Sequence, residues 1–343
     1  MQLGKLEVEA STKPYCPYCG CRVLRRKEWM HRKVWDIKGP VLVRIKRYKC
    51  TDCGKTFSHY PEGISWKSPY SQRVWFLSAL LWHLGLSVES VALILRALTG
   101  ARVSPNAVHK HLVEMGLNLN QRLRARKSEM LRVIHIDQGY IRIRGKSMGF
   151  NLAVSPDGKL LDISFVGNED VESFRRFFRR LKKRHGTYAI VGDFHAAHER
   201  ASEDEGMVFA GCWFHHQRST FKRARGARDP TLRDIYNAAT LPFPELEEEF
   251  FQAGLDTDDP RLKEVLFFIS DRYHSVNTLN IWGLGPGFVT NNSAERAMAR
   301  SKIRYKLTRG FGSRRNAYAA LLITQAFGQA LETGEVSPQS LFA

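Results

Sequence analysis

The sequence predicts an α/β protein, a mixed sheet carrying a helical insertion and preceded by a cysteine-rich ribbon and a helix-turn-helix. Three observations predict it. Two C-x2-C pairs lie within the first 60 residues, two short capped helices follow, and between Leu131 and Trp213 β-rich runs alternate with an amphipathic helix. A chain of 343 residues has room for two or three domains. They are read here as 1–66, 67–128 and 129–335, with the insertion at about 220–287.

The ribbon rests on Cys16, Cys19, Cys50 and Cys53, each pair followed by glycine. Zinc takes four soft ligands in a tetrahedron, and each C-x2-C turn supplies two of them. Cys21 is left over as a bystander. Residues 22–49 carry eleven Lys and Arg against Glu28 and Asp36, and VLVRIKRYK reads as a basic strand entering the second pair. The zinc would staple a small domain, while Arg44, Lys46 and Arg47 are candidates for phosphate contact.

The helix-turn-helix is read from cap residues. Ser87 opens a helix that Gly100 ends, and Ser104-Pro105 opens a second, expected to stop at Gly116. Asn106, His109, Lys110 and His111 would then be available to base edges or phosphates. An ordinary helical hairpin has the same signature, and the adjacent basic ribbon favours DNA.

In the alternating block, VIHID (133–137), IRIRG (141–145), GFNLAV (149–154) and LLDISFV (160–166) read as strands. Residues 170–186 form a helix with Phe174, Phe177, Phe178 and Leu181 on one stripe. Its arginines, Arg175 and Arg179 among them, form either a solvated face or a second backbone-binding face. YAIVGD (188–193) and MVFAGC (207–212) follow as strands.

Asp137 and Asp193 end the strands VIHID and YAIVGD, and Glu295 lies on the helix begun by Thr290-Asn291-Asn292. Carboxylates on neighbouring strand ends, with a third from a helix, make the hard-oxygen cluster that two Mg²⁺ or Mn²⁺ ions need. Each also has a plainer reading: a strand-end Asp often serves a turn, and Glu295 fits a capping box with Asn292 as N-cap. Cys212 and His215 read as a hydrogen-bonded support beside the site, two ligands being too few for zinc. Asp162 lies mid-strand, without a partner motif.

Asp137, Asp193 and the segment TNNSAERAMARSKIR resemble the Asp-Asp-Glu signature of insertion-sequence transposases, with Asn291, Asn292, Glu295 and Arg296 matching the Asn-Asn-x-x-Glu-Arg element. Cys212-Trp-Phe-His215 resembles the C-x2-H element of Mutator-like and related bacterial enzymes, and the ending RGFGSRRNAYAALLITQAFG, with Arg314 and Arg315, resembles their tail. The likeness covers nearly the whole chain. It departs after Asp137, where Gln138-Gly139 replaces a frequent acidic residue. It implies a ribonuclease-H-like catalytic domain, two Mg²⁺ or Mn²⁺ ions per active site, a structural zinc, double-stranded DNA as partner, and a dimer or larger assembly on it. Asp137, Asp193 and Glu295 would serve strand cleavage and transfer. A non-catalytic regulator of the same architecture and a nuclease or resolvase are the alternatives.

The bulk numbers agree with a nucleic-acid partner. Lys and Arg exceed Asp and Glu by 53 to 34, a net charge of +19. No run reaches the ~18 apolar residues of a membrane span, and MQLGKLEVEA lacks the apolar stretch of a secretory signal. A reducing, prokaryotic cytoplasm with nucleoid association is the expected location, where paired cysteines hold metal before disulfide.

Overall fold

The computed structural model describes residues 7–8, 14–125, 130–166, 170–224, 245–284, 288–308 and 310–337. Residues 225–244 and 285–287 of the expected insertion lie outside the described residues. Contacts divide the chain into two units, Met1–Leu119 with Ala319–Ala343, and Asn120–Tyr318. The residues from Ala319 therefore group with the N-terminal unit, although the sequence reading ran the catalytic domain to 335.

In the first unit, β2 (Leu24–Asp36) and β3 (Gly39–Cys50) form a long antiparallel hairpin. β1 (Glu7–Val8) and β4 (Thr56–His59) also pair with β3. Only β3 was expected from the sequence; β2 is polar and mostly exposed, so it carries little alternation to read. Val34, Val43 and Ile45 form the small core beneath. The backbone of Trp35 bonds to Pro69 and Ser71, which fixes the hairpin to the start of α1 (Gln72–His83).

The helix-turn-helix pair is α2 (Val88–Thr99) and α3 (Pro105–Ala125). Ser87 caps α2 by accepting from the Ser90 amide, and Gly100 closes it at a left-handed φ of 71°. Ser104 caps α3 through the Ala107 amide. The expected stop at Gly116 is wrong. The helix continues for nine further residues because Gly116 is a packing position: a Cβ there would lie 2.5 Å from the Ala319 backbone.

The second unit is built on a mixed five-stranded sheet in the order β7-β6-β5-β8-β9. β5 (Val133–Ile143), β6 (Lys146–Val154) and β7 (Leu160–Val166) run antiparallel, and β8 (Ala189–Gly192) and β9 (Val208–Gly211) add parallel beyond β5. VIHID and IRIRG, read as two strands, are one continuous strand. Asp137 therefore lies within β5 and not at its end. α4 (Val171–His185), capped by Asp170 and closed by Gly186, buries Phe174, Phe177, Phe178 and Leu181 against one sheet face, as its spacing predicts. α5 (Ala196–Asp204) and α6 (Trp213–Ala224) follow β8 and β9.

The described part of the insertion is α7 (Leu246–Asp256) and α8 (Pro260–Ile281), which share a core of Phe250, Val265, Leu266, Ile269 and Tyr273 with α6. α8 also reaches the other sheet face, where Leu279 and Val289 cover Val133, Ala189, Val191 and Ala210. α9 (Asn292–Thr308) and α10 (Arg314–Thr333) complete the chain. No described helix is long and apolar enough to cross a membrane.

Candidate metal centre and nucleic-acid interface

Strand register sets the first two carboxylates. β5 and β8 pair in parallel from Val133↔Ala189 to His135↔Val191. Two residues further along both chains, Asp137 and Asp193 stand on the same level and the same face. That face is covered by α9. A Cβ at Gly139 would lie 2.5 Å from the Met298 sulfur, so the glycine beyond Asp137 admits the helix. Glu295 sits one turn before Met298 and so reaches the same patch.

Three contacts fix the start of α9. The Asn291 side chain donates to the Ile136 carbonyl at 2.6 Å, the Asn291 amide donates to Cys212 Sγ at 3.2 Å, and Ser293 Oγ lies 2.6 Å from His135 Nδ1. All are buried. The Asn291 carbonyl accepts the first helical bond, from Glu295, so Asn291 occupies the cap and Asn292 is already helical. The capping-box reading of Glu295, which needed Asn292 as cap, does not hold.

The carboxylates meet at His215. Its Nδ1 lies 2.9 Å from Asp193 Oδ1 and 3.3 Å from Glu295 Oε1. Neither contact has the direction of a hydrogen bond, and all three atoms are buried from solvent. Asp193 foremost, then Cys212, push the imidazole up to about 10. Burial, and then the charges of Asp193 and Glu295, push the Asp137 carboxyl up to about 6, against the opposing pull of the Gln138 amide and Lys302. Carboxylates are thus crowded around Asp137, while the His215 imidazole, held protonated, stands between Asp193 and Glu295. Donor atoms of Cys212, His215 and Glu295 also lie within 4.8 Å of one another. Sequence reasoning saw Cys212 and His215 only as support; it missed that His215 touches two carboxylates, and it missed Lys302. The C-x2-H spacing on α6 was the signal for His215. Two neighbouring histidines do not join: His216 stacks on Phe268 and His195 caps α5.

The four ribbon cysteines also come together, with Sγ atoms within 4.8 Å of one another. Cys16 and Cys53 are 3.6 Å apart, and Cys19 and Cys50 are 3.5 Å apart. Amides of Cys53 and Asp52 pull Cys50 down to about 6. Cys21 stays outside the cluster, facing Val23 and Thr51.

The basic residues separate into two groups. Asn106, His109 and Lys110 are exposed on α3, and Arg314 and Arg315 are exposed at the start of α10. His111, by contrast, stacks on Trp75 at 4.2 Å and is held neutral by burial, at about 4. On the ribbon, Arg44 and Lys46 both lie over the Trp29 ring, and Arg47 pairs with Glu28. On α4, Arg179 holds Glu205 with two bonds, and Arg175 reaches Glu172, Asp204 and Glu205. Arg180 pairs with Asp162, which supplies the partner that strand residue lacked in the sequence. These pairs fit the solvated-face reading of Arg175 and Arg179; the backbone-binding reading is a matter for the salt slope of duplex binding. Their charge is committed to carboxylates of the same unit.

No protein-family model matches the sequence, and no curated protein does. Among solved structures, an intasome of simian T-cell lymphotropic virus in complex with PP2A regulatory subunit B56 gamma is similar over 58% of this chain and 66% of that one, at 9% identity and a TM-score of 0.21. The Mos1 transposase catalytic domain with raltegravir and Mg is similar over 48% and 91%, at 13% identity and a TM-score of 0.20. The Mos1 strand transfer complex is similar over 64% and 79%, at 12% identity and a TM-score of 0.20. Likeness at this level does not establish a shared fold.

Proposed function

We propose that the chain is a divalent-metal-dependent DNA transposase of the Asp-Asp-Glu kind, with a ribonuclease-H-like catalytic unit. The observation that carries this reading is the convergence of Asp137 from β5, Asp193 from the end of β8 and Glu295 from α9 on one patch. The sheet supports it: three antiparallel strands in series, then a helix, then two parallel strands beside the first.

The donor set fits Mg²⁺ or Mn²⁺. Asp193 Oδ1 and Glu295 Oε1 are buried without hydrogen-bond partners, and a raised Asp137 completes a set of hard oxygens. When bound, two such ions stabilise the entering and leaving oxygens of a phosphodiester. The chain's own residues set the geometry. Asn291 and Ser293 fix the register of Glu295 against β5, and His215 stands between Asp193 and Glu295. The ribbon, with a structural zinc on Cys16, Cys19, Cys50 and Cys53, and the exposed face of α3 would hold double-stranded DNA at the ends of a mobile element. Cleavage and strand transfer at paired ends imply a dimer or larger assembly, in a prokaryotic cytoplasm at the nucleoid.

The test uses the full chain and a plasmid carrying the DNA that flanks its gene. Nicking should require Mg²⁺ or Mn²⁺, and Asp193→Asn should abolish it with an unchanged melting temperature. Metal-dependent nicking by folded Asp193→Asn would overturn the assignment. A wild-type protein that binds these ends and never cuts them would leave the regulator reading.

A further inference from the structure

We propose that Arg223 on α6 and Arg272 on α8 form a clamp for a backbone phosphate of DNA beside Asp193; this rests on the DNA-cleaving function proposed above. α8 is anchored to the sheet next to the site, since the Gly211 amide donates to Ser275 Oγ at 3.2 Å. Phe194, the residue after Asp193, lies over the same glycine: a Cβ at Gly211 would come 2.0 Å from its ring. Arg272 stacks between Phe194 and Phe268, its guanidinium carbon 4.4 and 4.5 Å from the ring centres. Arg223 stacks on Phe268 at 3.9 Å. Two cations therefore share one aromatic ring, and one of them also covers the neighbour of Asp193.

Among the described residues, what neutralises them is weak. Arg223 approaches Glu264 only to 3.9 Å and Arg272 approaches Asp271 only to 4.0 Å, and both acids are largely exposed, at 66% and 80% of their side chains. The α4 arginines behave differently, with Arg179 bonded to Glu205 at 2.7 Å. Burial and the Arg223 charge also hold Arg272 below its ordinary range, although Asp271 and Glu199 oppose them. Stacking occupies the flat faces of a guanidinium and leaves its in-plane N–H fork open, the geometry that takes two phosphate oxygens. Like charges held close by aromatic faces are stable when an anion sits between them.

The test is duplex binding by the full-length protein, followed across salt concentration in buffer without added divalent ions, so that cleavage does not enter. Each lost phosphate contact should reduce the slope of log affinity against log salt by about 0.9. Arg223→Ala with Arg272→Ala removes the one clamped phosphate and should reduce it by about 0.9. Extrapolated from 1 M salt, that is about an 8-fold loss at 0.1 M. Arg272→Lys keeps charge without the fork and should lose little slope while weakening binding. A packing role alone would lower the melting temperature and leave the slope unchanged. That outcome, with wild type binding normally, overturns the clamp and spares the proposed function; a wild type that does not bind duplex overturns both. Should Arg272→Ala unfold, Arg223→Ala alone must still reduce the slope, by up to about 0.9, and an unchanged slope overturns the clamp.

Discussion

The side chain of Asn291 donates a 2.6 Å hydrogen bond to the carbonyl of Ile136. Ile136 precedes Asp137, and Asn291 caps the helix that carries Glu295, so this one buried bond joins two of the three carboxylate supports. Asn291→Ala leaves a buried carbonyl unsatisfied, at a cost of about 1–3 kcal/mol. The melting temperature should fall by several degrees. Metal-dependent cleavage should fall further than stability explains when both are measured below the transition. Cleavage that tracks only the folded fraction would show that the bond holds the fold and not the site.

Charge crowding gives Asp137 a testable pH signature in protein free of divalent ions. Its folded pKa, about 6, lies above the ordinary carboxylate value of 3.8. The folded state therefore binds the extra proton between those values, and stability should decline as pH rises through that window and level off above it. Asp137→Asn removes the charge, so it should be more stable than wild type above pH 6, by up to roughly 3 kcal/mol for a shift of that size. Mg²⁺ should raise the wild-type melting temperature and leave the variant's nearly unchanged. A variant less stable than wild type at pH 8 without metal would contradict the crowding.

Glu295→Gln separates support from chemistry. Because Asn291 is the cap and Asn292 is already helical, Glu295 makes no capping box, and glutamine there neither gains nor loses a backbone partner. The helix should hold, with a melting temperature within a degree or two of wild type. Cleavage should drop by ~100-fold or more, since the carboxylate is what a metal would take. Wild-type cleavage by this variant removes Glu295 from the site.

Local signals in the sequence were legible and non-local ones were not. Asp170, the phenylalanine stripe and Gly186 write α4 within 17 residues, and the structure has it with those caps. Gly116 and Gly139 look like breakers in one dimension. Their reasons, Ala319 and Met298, lie more than 150 residues away. Asp137 looked like a strand end because Gln138-Gly139 interrupts the apolar run, yet β6 pairs straight through it. The charge on α4 was visible, but its partner Glu205 was not, being 26 residues on from Arg179. The carboxylate types and their motif could be read; the wedge of His215 between two of them depends on how α6 leaves β9.

The paired arginines of α4 predict a stability effect where the sequence pointed to DNA. Arg179→Ala removes a bidentate pair whose acid, Glu205, has only 9% of its side chain exposed. Arg175 remains to compensate in part, so a small fall in melting temperature is expected. Duplex affinity and its salt slope should hold. A slope reduced by about 0.9 with an unchanged melting temperature would return this helix to the DNA interface.

Zinc should be bound once per chain, and removing it should act on one unit. A Zn–S bond of about 2.3 Å sets tetrahedral Sγ separations of about 3.8 Å, and the ribbon already holds two pairs at 3.6 and 3.5 Å. The core beneath the hairpin is small, Val34, Val43 and Ile45 with a few partly buried neighbours, so it cannot hold the ends of the ribbon alone. Cys50→Ser removes the thiol that the Cys53 and Asp52 amides pull down to about 6. The variant should lose its zinc by elemental analysis, and the hairpin amides should lose exchange protection. The effect should spread to the start of α1, which is bonded to Trp35. The second unit has its own core around Phe174, Phe177 and Phe178 and should keep its melting transition. Specific duplex binding should fall with the ribbon, while the Asp137 pH signature persists. A zinc-free Cys50→Ser protein with full exchange protection in the hairpin would show that metal is not what holds the ribbon.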